Sequence, residues 1–394
     1  MFLFDMENVS FSVPWKHPLQ SRLSTLLSRR IKIAYLYEAP AKNTFRYRVY
    51  NMVQALNTHC EDISASYFSS DEWSELDKIL EDLDALVISR ARYTGELNQL
   101  VTRARGLGKT VFYDVDDLIF DPDYTHLIVH SLDLPRTDQT WDYWFAFISR
   151  IRAAMKLCDR AITTNQFLAE NITEYFDKPA HVIPNFMNDE QLSISRDIFE
   201  KKSESGWLRD GTITLGYFSG TQTHNKDFEI ASTALAELLR TDKRLRLQIG
   251  GHLQIRGPIA NFSDRIDFMP FTDFVNLQAS VGRVDVNIVP LQQNIFSNCK
   301  SELKYFEAAA VGTITVATPI YTYANAIADG ENGFLAESYA WCEKLQQALA
   351  SFSQTNERYV EIAQKAASDV LGKFTGKSQS DSLKNLFVAS LPRI

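Results

Sequence analysis

The sequence predicts an α/β protein made of two doubly wound domains that face each other across a cleft. Apolar runs of strand length alternate with longer segments of helical period through most of the 394 residues. This alternation is typical of parallel sheets with helices on both faces. It is interrupted once, after Pro184-Asn185, by a polar stretch at residues 188–210 that indicates a linker between the two domains.

Composition and charge exclude several classes of protein. The chain is 45% hydrophobic and 23% charged, which is too apolar for a disordered protein. Its net charge of −8 argues against nucleic-acid binding, which depends on clustered positive charge. The four cysteines have no CxxC spacing and HExxH does not occur, so we expect no zinc site. No apolar run reaches 18 residues and the N-terminus carries Asp5 and Glu7, so we expect a cytoplasmic protein without a secretory signal.

The first half carries the strands and helices of one domain, predicted at 31–187 after an N-terminal extension at 1–30. The predicted strands are residues 31–37, 63–68, 84–89, 109–115, 160–163 and 181–183. The predicted helices are residues 45–56, 72–80, 95–105, 141–157 and 166–176, with a short amphipathic helix at 19–31 in the extension.

The second half carries a similar series and forms a second domain at 188–374. The predicted strands are residues 213–218, 245–249, 266–269, 284–290 and 313–317. The predicted helices are residues 227–239, 274–281 and 301–311, and the tail from residue 339 is expected to be helical throughout. In such sheets ligands bind at the carboxyl ends of the strands, so a cleft site is expected between the domains.

The segment after the strand at 284–290 has the features of an anion site. Ser301 is a candidate N-cap of the next helix, where free backbone N–H groups and the helix dipole favour negative charge. Lys300 and Lys304 add positive charge beside that end, which suits a phosphate or diphosphate. Glu307 follows on the same helix and is a candidate acceptor for the hydroxyls of a ribose. The alternative is an ordinary capped helix with solvated lysines.

A second candidate phosphate loop follows the strand at 213–218. It contains small residues, hydroxyls, Gly220 and Lys226, and it also precedes a helix. Glycine-rich turns between strand and helix are common, so this loop alone is weak evidence for phosphate binding. The interpretation is favoured because both loops follow strands of the same domain.

Three carboxylates close the predicted strand at 109–115: Asp114, Asp116 and Asp117. One interpretation is a Mg²⁺ or Mn²⁺ site, because these ions prefer oxygen ligands. A second is a base or an orienting group for a hydroxyl. A third is capping of the following helix by one of them, with the others exposed.

Two further groups in the first half have two interpretations each. Arg46 and Arg48 follow the first strand, and either bind phosphate or carboxylate groups or belong to a solvated basic turn. An aromatic stripe on the helix at 141–157 favours a core-facing helix, with contact to a lipid-linked substrate as the alternative. The stripe consists of Trp141, Trp144, Phe145 and Ile148, broadened by Tyr143 and Phe147.

Several of these motifs together resemble the retaining glycosyltransferases of the GT-B fold, in particular glycosyltransferase family four. The resemblance extends from about residue 31 to about residue 374. It is carried by the following segments: His181-Val182-Ile183-Pro184-Asn185, Gly216-Tyr217-Phe218-Ser219-Gly220 with Lys226, Glu307-Ala308-Ala309-Ala310-Val311-Gly312, and Asp329-Gly330-Glu331-Asn332-Gly333-Phe334-Leu335.

The resemblance implies a role for each candidate residue. The second domain is expected to bind the nucleotide-sugar donor through Gly220, Lys226, Lys300, Ser301, Lys304 and Glu307, with Phe271 beside the base. The first domain is expected to bind the acceptor near Arg46, Arg48 and Asp117, with Asp116 as the catalytic candidate that orients or deprotonates the acceptor hydroxyl. Residues 375–394 are expected to pack back on the first domain, as the last helix does in this fold.

The chain departs from the family pattern at several positions. Cys299 stands where the family has the first of two glutamates, and Thr221 where it has an arginine. Asp116 replaces a histidine, and residues 39–43 replace a Gly-Gly acceptor loop. We hypothesise that Lys300, Lys304 and either Arg46 or Arg48 supply the charge that these changes remove.

The expected function is transfer of a sugar, with retention and without a metal or other cofactor, to a hydroxyl of a glycan or lipid-linked acceptor. Bacterial surface polysaccharide synthesis is the process that the resemblance implies, at the inner face of the membrane or beside other glycosyltransferases. One alternative is a nucleotide-sugar epimerase of the same fold. Another is a catalytically silent subunit that partners a glycosyltransferase.

Overall fold

The structure is a computed structural model that describes residues 1–39, 44–220, 224–352 and 356–391. These residues form two six-stranded sheets. All the strand pairings within them are parallel. The predicted fold class, two doubly wound α/β sheets, is confirmed.

The first sheet lies within residues 31–182. Its strands are β1 (Ile31–Tyr37), β2 (Ile63–Ser69), β3 (Ala85–Ser89), β4 (Thr110–Asp114), β5 (Arg160–Thr163) and β6 (Ala180–Val182). They pair in the order β2-β1-β3-β4-β5-β6. The accompanying helices are α1 (Leu19–Leu26), α2 (Asn51–His59), α3 (Trp73–Lys78), α4 (Gly95–Gly106), α5 (Thr125–Ser131), α6 (Asp138–Leu157) and α7 (Gln166–Phe176). A π-helical turn at Arg46–Tyr50 leads into α2, and short 3₁₀ helices lie at Ser70–Glu72, Leu80–Asp82 and Pro122–Tyr124.

The second sheet lies within residues 213–335. Its strands are β7 (Ile213–Ser219), β8 (Leu245–Gly251), β9 (Ile266–Met269), β10 (Val286–Val289), β11 (Ile314–Ala317) and β12 (Phe334–Leu335), in the order β12-β11-β10-β7-β8-β9. The helices are α8 (Asp189–Glu204), α9 (Asn225–Thr241), α10 (Phe274–Arg283), α11 (Ile295–Asn298), α12 (Leu303–Ala310), α13 (Tyr321–Ala326), α14 (Trp341–Ala350), α15 (Glu357–Lys373) and α16 (Gly376–Ser390). A 3₁₀ segment spans Gly257–Arg265.

Each range predicted as a strand overlaps one, and the signal is plainest for central parallel strands, which are buried on both faces and read as continuous apolar runs. In β3 and β10 every residue is buried. The chain winds outwards in both directions from β1 and from β7, so each sheet has a topological switch point beside that strand. Loops that follow strands at a switch point are where ligands bind in such sheets.

The prediction of a linker at residues 188–210 is wrong, because most of this segment forms the helix α8. Asn188 caps the helix by accepting a hydrogen bond from the N–H of Gln191 at 2.8 Å. The buried face of α8 consists of Gln191, Ser195, Ile198 and Lys202. This stripe has helical spacing but is mostly polar, so hydrophobic periodicity did not reveal it.

The tail, predicted to be helical, consists of the three helices α14, α15 and α16, and the last of them packs on the first domain. Thr375 caps α16 and separates it from α15. The ring of Phe387 in α16 meets Phe112 of β4 edge to face at 5.4 Å. The Cys60 thiol, just after α2, lies 3.7 Å from the carbonyl oxygen of Ser380.

Candidate active site

A cavity of ≈ 460 Å³ lies between the carboxyl ends of the two sheets. The first domain contributes Thr44, Arg46, Tyr47, Asp116 and Asn185 to its wall. The second domain contributes the ends of β7, β8 and β9 and the start of α12, including Ser219, Gly220, Gly251, Phe271, Lys304 and Glu307. Six of the predicted site residues therefore line the cavity: Arg46, Asp116, Gly220, Phe271, Lys304 and Glu307.

The backbone at the ends of β7 and β8 is packed too closely for side chains. Gly251 has a φ of +92°, and a Cβ atom there would lie 2.0 Å from the carbonyl oxygen of Ser219. A Cβ atom on Gly250 would lie 2.6 Å from the ring of Phe218. These glycines bring bare backbone to the cavity wall. Residues 221–223, which include the position of Thr221, lie outside the described residues.

The N-terminus of α12 and Lys304 form the cationic part of the wall. Leu303 and Lys304 are the first two residues of the helix, so their N–H groups have no acceptor within it. The pKa of Lys304 is lowered to about 8, chiefly by burial and also by the nearby Lys300, while Asp227 and Glu307 oppose the change. A bound anionic ligand would stabilise the protonated form of Lys304, which burial disfavours.

Ser301 is not the N-cap that the sequence predicts. Glu302 occupies the N-cap position and makes no side-chain capping hydrogen bond. The Ser301 hydroxyl instead accepts a hydrogen bond from Asn185 Nδ2 at 3.0 Å, across the boundary between the domains. Asn185 lines the cavity and Ser301 does not, so Ser301 acts by holding the Asn185 side chain in place.

Glu307 is held by three donors that converge on its Oε1 atom. Gln191 Nε2 donates at 2.8 Å, Arg46 Nη2 lies at 3.3 Å, and the Tyr47 hydroxyl makes a short hydrogen bond. Two of these donors come from the π-helical turn of the first domain and one comes from α8. All four side chains are buried or nearly so, and Arg46 also lies over the ring of Phe274 at 4.5 Å. The described residues provide no hydrogen-bond donor to Oε2.

Arg48 does not reach the cavity, so its predicted role in acceptor binding is wrong. Its guanidinium pairs with both carboxylate oxygens of Asp114 at 2.8 Å, and both side chains are fully buried. Its Nη1 donates to the carbonyl oxygen of Ile183 at 2.7 Å. Burial raises the pKa of Asp114, and the paired guanidinium opposes that rise. The pair joins the π-helical turn before α2, β4 and the segment after β6.

Asp116 and Asp117 share one arginine at the carboxyl end of the first sheet. Arg90 Nη1 lies 2.7 Å from Asp116 Oδ1 and 3.2 Å from Asp117 Oδ2. Burial raises the pKa of Asp117, and so does the neighbouring Asp116, while Arg90 and Lys300 lower it. Of the two, only Asp116 lines the cavity. Within the described residues, no group of three or more His, Cys, Asp or Glu side chains is placed to hold a metal ion.

Two predicted lysines lie outside the cavity wall. Lys226 is in the first turn of α9, and Lys300 lies over the ring of Phe296 at 4.9 Å. Lys300 is nevertheless near enough to influence the pKa of Lys304 and of Asp117. Cys299, at the position of the missing glutamate, is fully buried in the core of the first domain.

Sequence reasoning missed Tyr47, Gln191 and Arg90. Tyr47 lies between the two arginines that were considered and reads as an ordinary core residue. Gln191 lies in the stretch interpreted as a linker, and Arg90 follows β3 with a left-handed backbone (φ 51°). A polar residue directly after a buried strand was the one available signal for Arg90.

The core prediction for the stripe on α6 holds for the buried Ile148 and in part for Trp144 and Phe147, which are half-buried against the core of the first domain, and it is wrong for two exposed rings. Tyr143 is 55% exposed and Phe145 is 45% exposed. Tyr143, Trp144 and Phe147 contact one another, with ring centroids 5.4–6.2 Å apart. Arg92 lies over Phe147 at 5.6 Å and pairs with Glu38, just beyond the carboxyl end of β1. Phe147 thus connects this aromatic group, through Arg92, to the carboxyl end of β1.

Comparison with known proteins defines the class of this fold. A glycosyltransferase from Rickettsia africae ESF-5 is similar, with a TM-score of 0.60, 14% identity, and coverage of 91% of this chain and 97% of that one. HepE of Anabaena in complex with UDP has a TM-score of 0.59 at 13% identity, covering 91% and 100%. Sucrose-phosphate synthase of Thermosynechococcus elongatus has a TM-score of 0.58 at 16% identity, covering 91% and 99%. At such identities the likeness shows the fold, which is GT-B.

The second domain has a sequence match as well. Residues 212–354 match the family described as "Glycosyl transferases group 1". The chain therefore has the GT-B fold, and the half that carries α12 contains a region similar to the group 1 glycosyltransferases. No curated protein matches the chain in sequence. Among the described residues, no helix is long and apolar enough to cross a membrane.

Proposed function

We propose that this protein transfers a sugar from a nucleotide-sugar donor to a hydroxyl group of a glycan or lipid-linked acceptor. The observation that carries the proposal is the cavity itself, in which Lys304 and Glu307 of the group 1 domain face Arg46 and Asp116 of the first domain. Similar structures contain such ligands: HepE has been solved with UDP and glucose and with UDP-glucose.

The donor's diphosphate would lie at the start of α12. The free N–H groups of the first turn and the Lys304 ammonium would stabilise the charge that develops as the sugar leaves. This arrangement needs no metal ion, and we propose a metal-independent reaction without a cofactor. Glu307 would accept hydrogen bonds from the ribose through Oε2, since Oε1 is already held by its three donors.

The acceptor would approach from the first domain. Asp116 lines the cavity, and its ion pair with Arg90 fixes its orientation. We propose that Asp116 orients the acceptor hydroxyl and that the sugar is transferred with retention, as the resemblance to family four implies. Closure of the two domains would exclude water, which would otherwise hydrolyse the donor.

The exposed aromatic face of α6 supports a lipid-linked acceptor and a place at the inner surface of a bacterial membrane, in surface polysaccharide synthesis. Aromatic side chains with a nearby arginine are favourable at the interface between lipid and water. The double variant Tyr143→Ser with Phe145→Ser is expected to lose most co-sedimentation with vesicles of anionic phospholipid. Phe268→Ser, which alters a phenylalanine that is 56% exposed on the second domain, is the matched control and should bind like the wild type.

The first experiment is a thermal-shift screen with nucleotides and nucleotide sugars, with Mg²⁺ or with EDTA. A ligand at about 100 times its Kd should stabilise the protein by about 2.7 kcal/mol. One nucleotide family should raise the Tm in both conditions, and Glu307→Gln should reduce the shift, whereas the exposed Glu357→Gln should not. The active nucleotide sugar is then incubated with glycan acceptors, and release of nucleoside diphosphate is measured.

The outcomes separate the proposal from its alternatives. A Tm shift with acceptor-dependent release supports a glycosyltransferase. A shift with a changed sugar and no acceptor would favour an epimerase. Absence of any shift would favour a silent subunit, a possibility that rests on Cys299 and Thr221 at the positions of a family glutamate and arginine.

A further inference from the structure

The first sixteen residues run from the second domain, along the cavity, to the first domain. We call residues 2–16 the N-terminal strap. At one end Phe2 is buried in the core of the second domain, and its N–H donates to the carbonyl oxygen of Arg283 at 2.9 Å. Further along, the Asn276 side chain makes two hydrogen bonds to the backbone of Val9, at 2.8 and 3.0 Å.

The other end of the strap is fixed to the first domain through Trp15. Its ring lies 5.7 Å from Phe45 and 5.3 Å from Tyr50, measured between centroids. Its carbonyl oxygen accepts a hydrogen bond from the Tyr67 hydroxyl at 2.8 Å. The segment between Val9 and Trp15 is therefore held at both ends, by different domains.

The held segment alternates apolar and polar residues from position 9 to position 13, ahead of Pro14, and Val9 is itself 44% exposed. Apolar residues stand at positions 9, 11, 13 and 15 of the sequence VSFSVPW. Phe11, Val13 and Trp15 line the cavity, while Ser10 and Ser12 are exposed. This alternation is what an extended chain produces when one side faces an apolar surface. The strap thus presents a row of apolar side chains to the cavity.

This row meets the part of the second domain that follows β9. Phe274 contacts Phe11 edge to face at 5.3 Å and is nearly parallel to Trp15 at 6.2 Å. Phe271, three residues earlier, is 54% exposed and also lines the cavity. On its other side Phe274 borders the charged part of the wall, because Arg46, the partner of Glu307, lies over its ring at 4.5 Å. The cavity therefore combines a polar region with an apolar, aromatic-rich one.

We propose that the strap is part of the donor site, and that Phe11 and Val13 contact the heteroaromatic base of the nucleotide. This inference rests on the proposed function. A planar base gains affinity from aromatic and apolar contacts on its faces and edges, without the base-specific hydrogen bonds that a polar wall would supply. The diphosphate would occupy the polar region at α12, and the base the region between Phe271 and the strap.

The test compares a ligand that has a base with one that lacks it. Affinities for the nucleoside diphosphate found in the screen and for inorganic pyrophosphate are measured by calorimetry on the full chain. Phe11→Ala should weaken nucleoside diphosphate binding about tenfold, the scale of one aromatic contact with a base, and leave pyrophosphate binding unchanged. Ser12→Ala, on the outer side of the strap, is the matched control and should bind both ligands like the wild type.

A second variant distinguishes loss of the base contact from misfolding of Phe11→Ala. Phe11→Leu keeps an apolar side chain, so it should fold and should recover part of the lost affinity. Equal losses for both ligands in Phe11→Ala, or unchanged affinity for the nucleotide, would overturn the strap proposal while the donor site stands. If the wild type binds pyrophosphate but no nucleoside diphosphate, the proposed function fails together with the inference.

Discussion

Two buried carboxyl groups of this chain have opposite surroundings. Asp114 is paired with Arg48 through two hydrogen bonds of 2.8 Å. Glu302 is 7% exposed, and its Oε2 atom has no hydrogen-bond partner among the described residues. A buried carboxylate that lacks a partner favours its neutral form, whereas a paired one depends on its partner for stability. The two residues therefore lead to different predictions.

Replacing Arg48 with methionine should destabilise the protein strongly. The substitution leaves Asp114 buried without its partner, and removal of one member of a buried pair costs about 3–5 kcal/mol. Urea unfolding at pH 7.5 would measure this as a lower midpoint. Adding Asp114→Asn to the same chain should restore part of the loss, because the unpaired charge is then absent. An unchanged midpoint for Arg48→Met alone would contradict the structural role.

Glu302 should make stability depend on pH. Burial raises its pKa from the usual 4.5 to about 7. Between these two values the folded protein binds a proton that the unfolded chain has released, so the free energy of unfolding falls as pH rises through this window. Glu302→Gln cannot ionise, so it should be more stable than the wild type by up to about 3 kcal/mol at pH 8 and nearly equal at pH 4.5.

Urea midpoints of both proteins from pH 4.5 to 8 would test the Glu302 prediction. Glu357→Gln is the control for loss of a charge, because Glu357 is exposed at the start of α15. A constant difference between Glu302→Gln and the wild type across this range would show that ionisation of Glu302 is not linked to folding.

At the scale of single elements, strands were easier to predict than polar helices. The central strands were easy to predict because burial on both faces leaves a continuous apolar run, as in β3 and β10. Helix α8 was missed because its buried face carries Gln191, Ser195 and Lys202, whose partners lie on other elements. Lys202, for example, donates to the carbonyl oxygen of Gly312 at 2.7 Å, a contact that only the tertiary structure creates.

The π-helical turn before α2 shows why site residues are harder to predict than elements. Arg46 and Arg48 are two positions apart, and residues at this spacing do not face the same side of a helical turn. Arg46 reaches Glu307 across the cleft, whereas Arg48 is buried against Asp114. Their charge and spacing in the sequence are compatible with a shared role, and only the direction of each side chain separates them.

Helix α12 supplies a prediction about ligand binding. Because the pKa of Lys304 is about 8, the lysine loses its proton as pH rises through that value. Only the protonated form attracts a diphosphate, so nucleoside diphosphate affinity of the wild type should fall by up to about tenfold per unit above pH 8. Lys304→Arg should bind with little pH dependence, because arginine stays charged.

Calorimetric titrations at pH 7, 8, 9 and 9.5 would measure this dependence. Lys304→Ala should bind weakly at every pH, which also tests the hypothesis that Lys304 supplies charge to the donor site. Lys226→Ala is the comparison, because Lys226 lies outside the cavity wall, and it should keep the slope of the wild type. A flat profile for the wild type would contradict the role assigned to Lys304.

At the scale of the whole molecule, one hydrophobic cluster is shared by both domains. It contains Ile33 and Tyr47 of the first domain and Phe306 of α12, together with Phe374 at the end of α15. Phe306 is fully buried, lies 6.2 Å from Tyr47 edge to face, and stacks on Phe374 at 5.0 Å. The N-terminal strap and α16 add two further connections between the domains.

A shared core predicts that the two domains unfold together. Differential scanning calorimetry of the wild type should show one transition, because neither domain can lose its structure without exposing the common cluster. Phe306→Ala should weaken the coupling and separate the transition into two. Phe228→Ala removes a ring of the same size that contacts Tyr217 inside the second domain alone, so it should lower the Tm and keep a single transition. Two well-separated transitions in the wild type would mean that the shared cluster couples the domains too weakly to make them one folding unit.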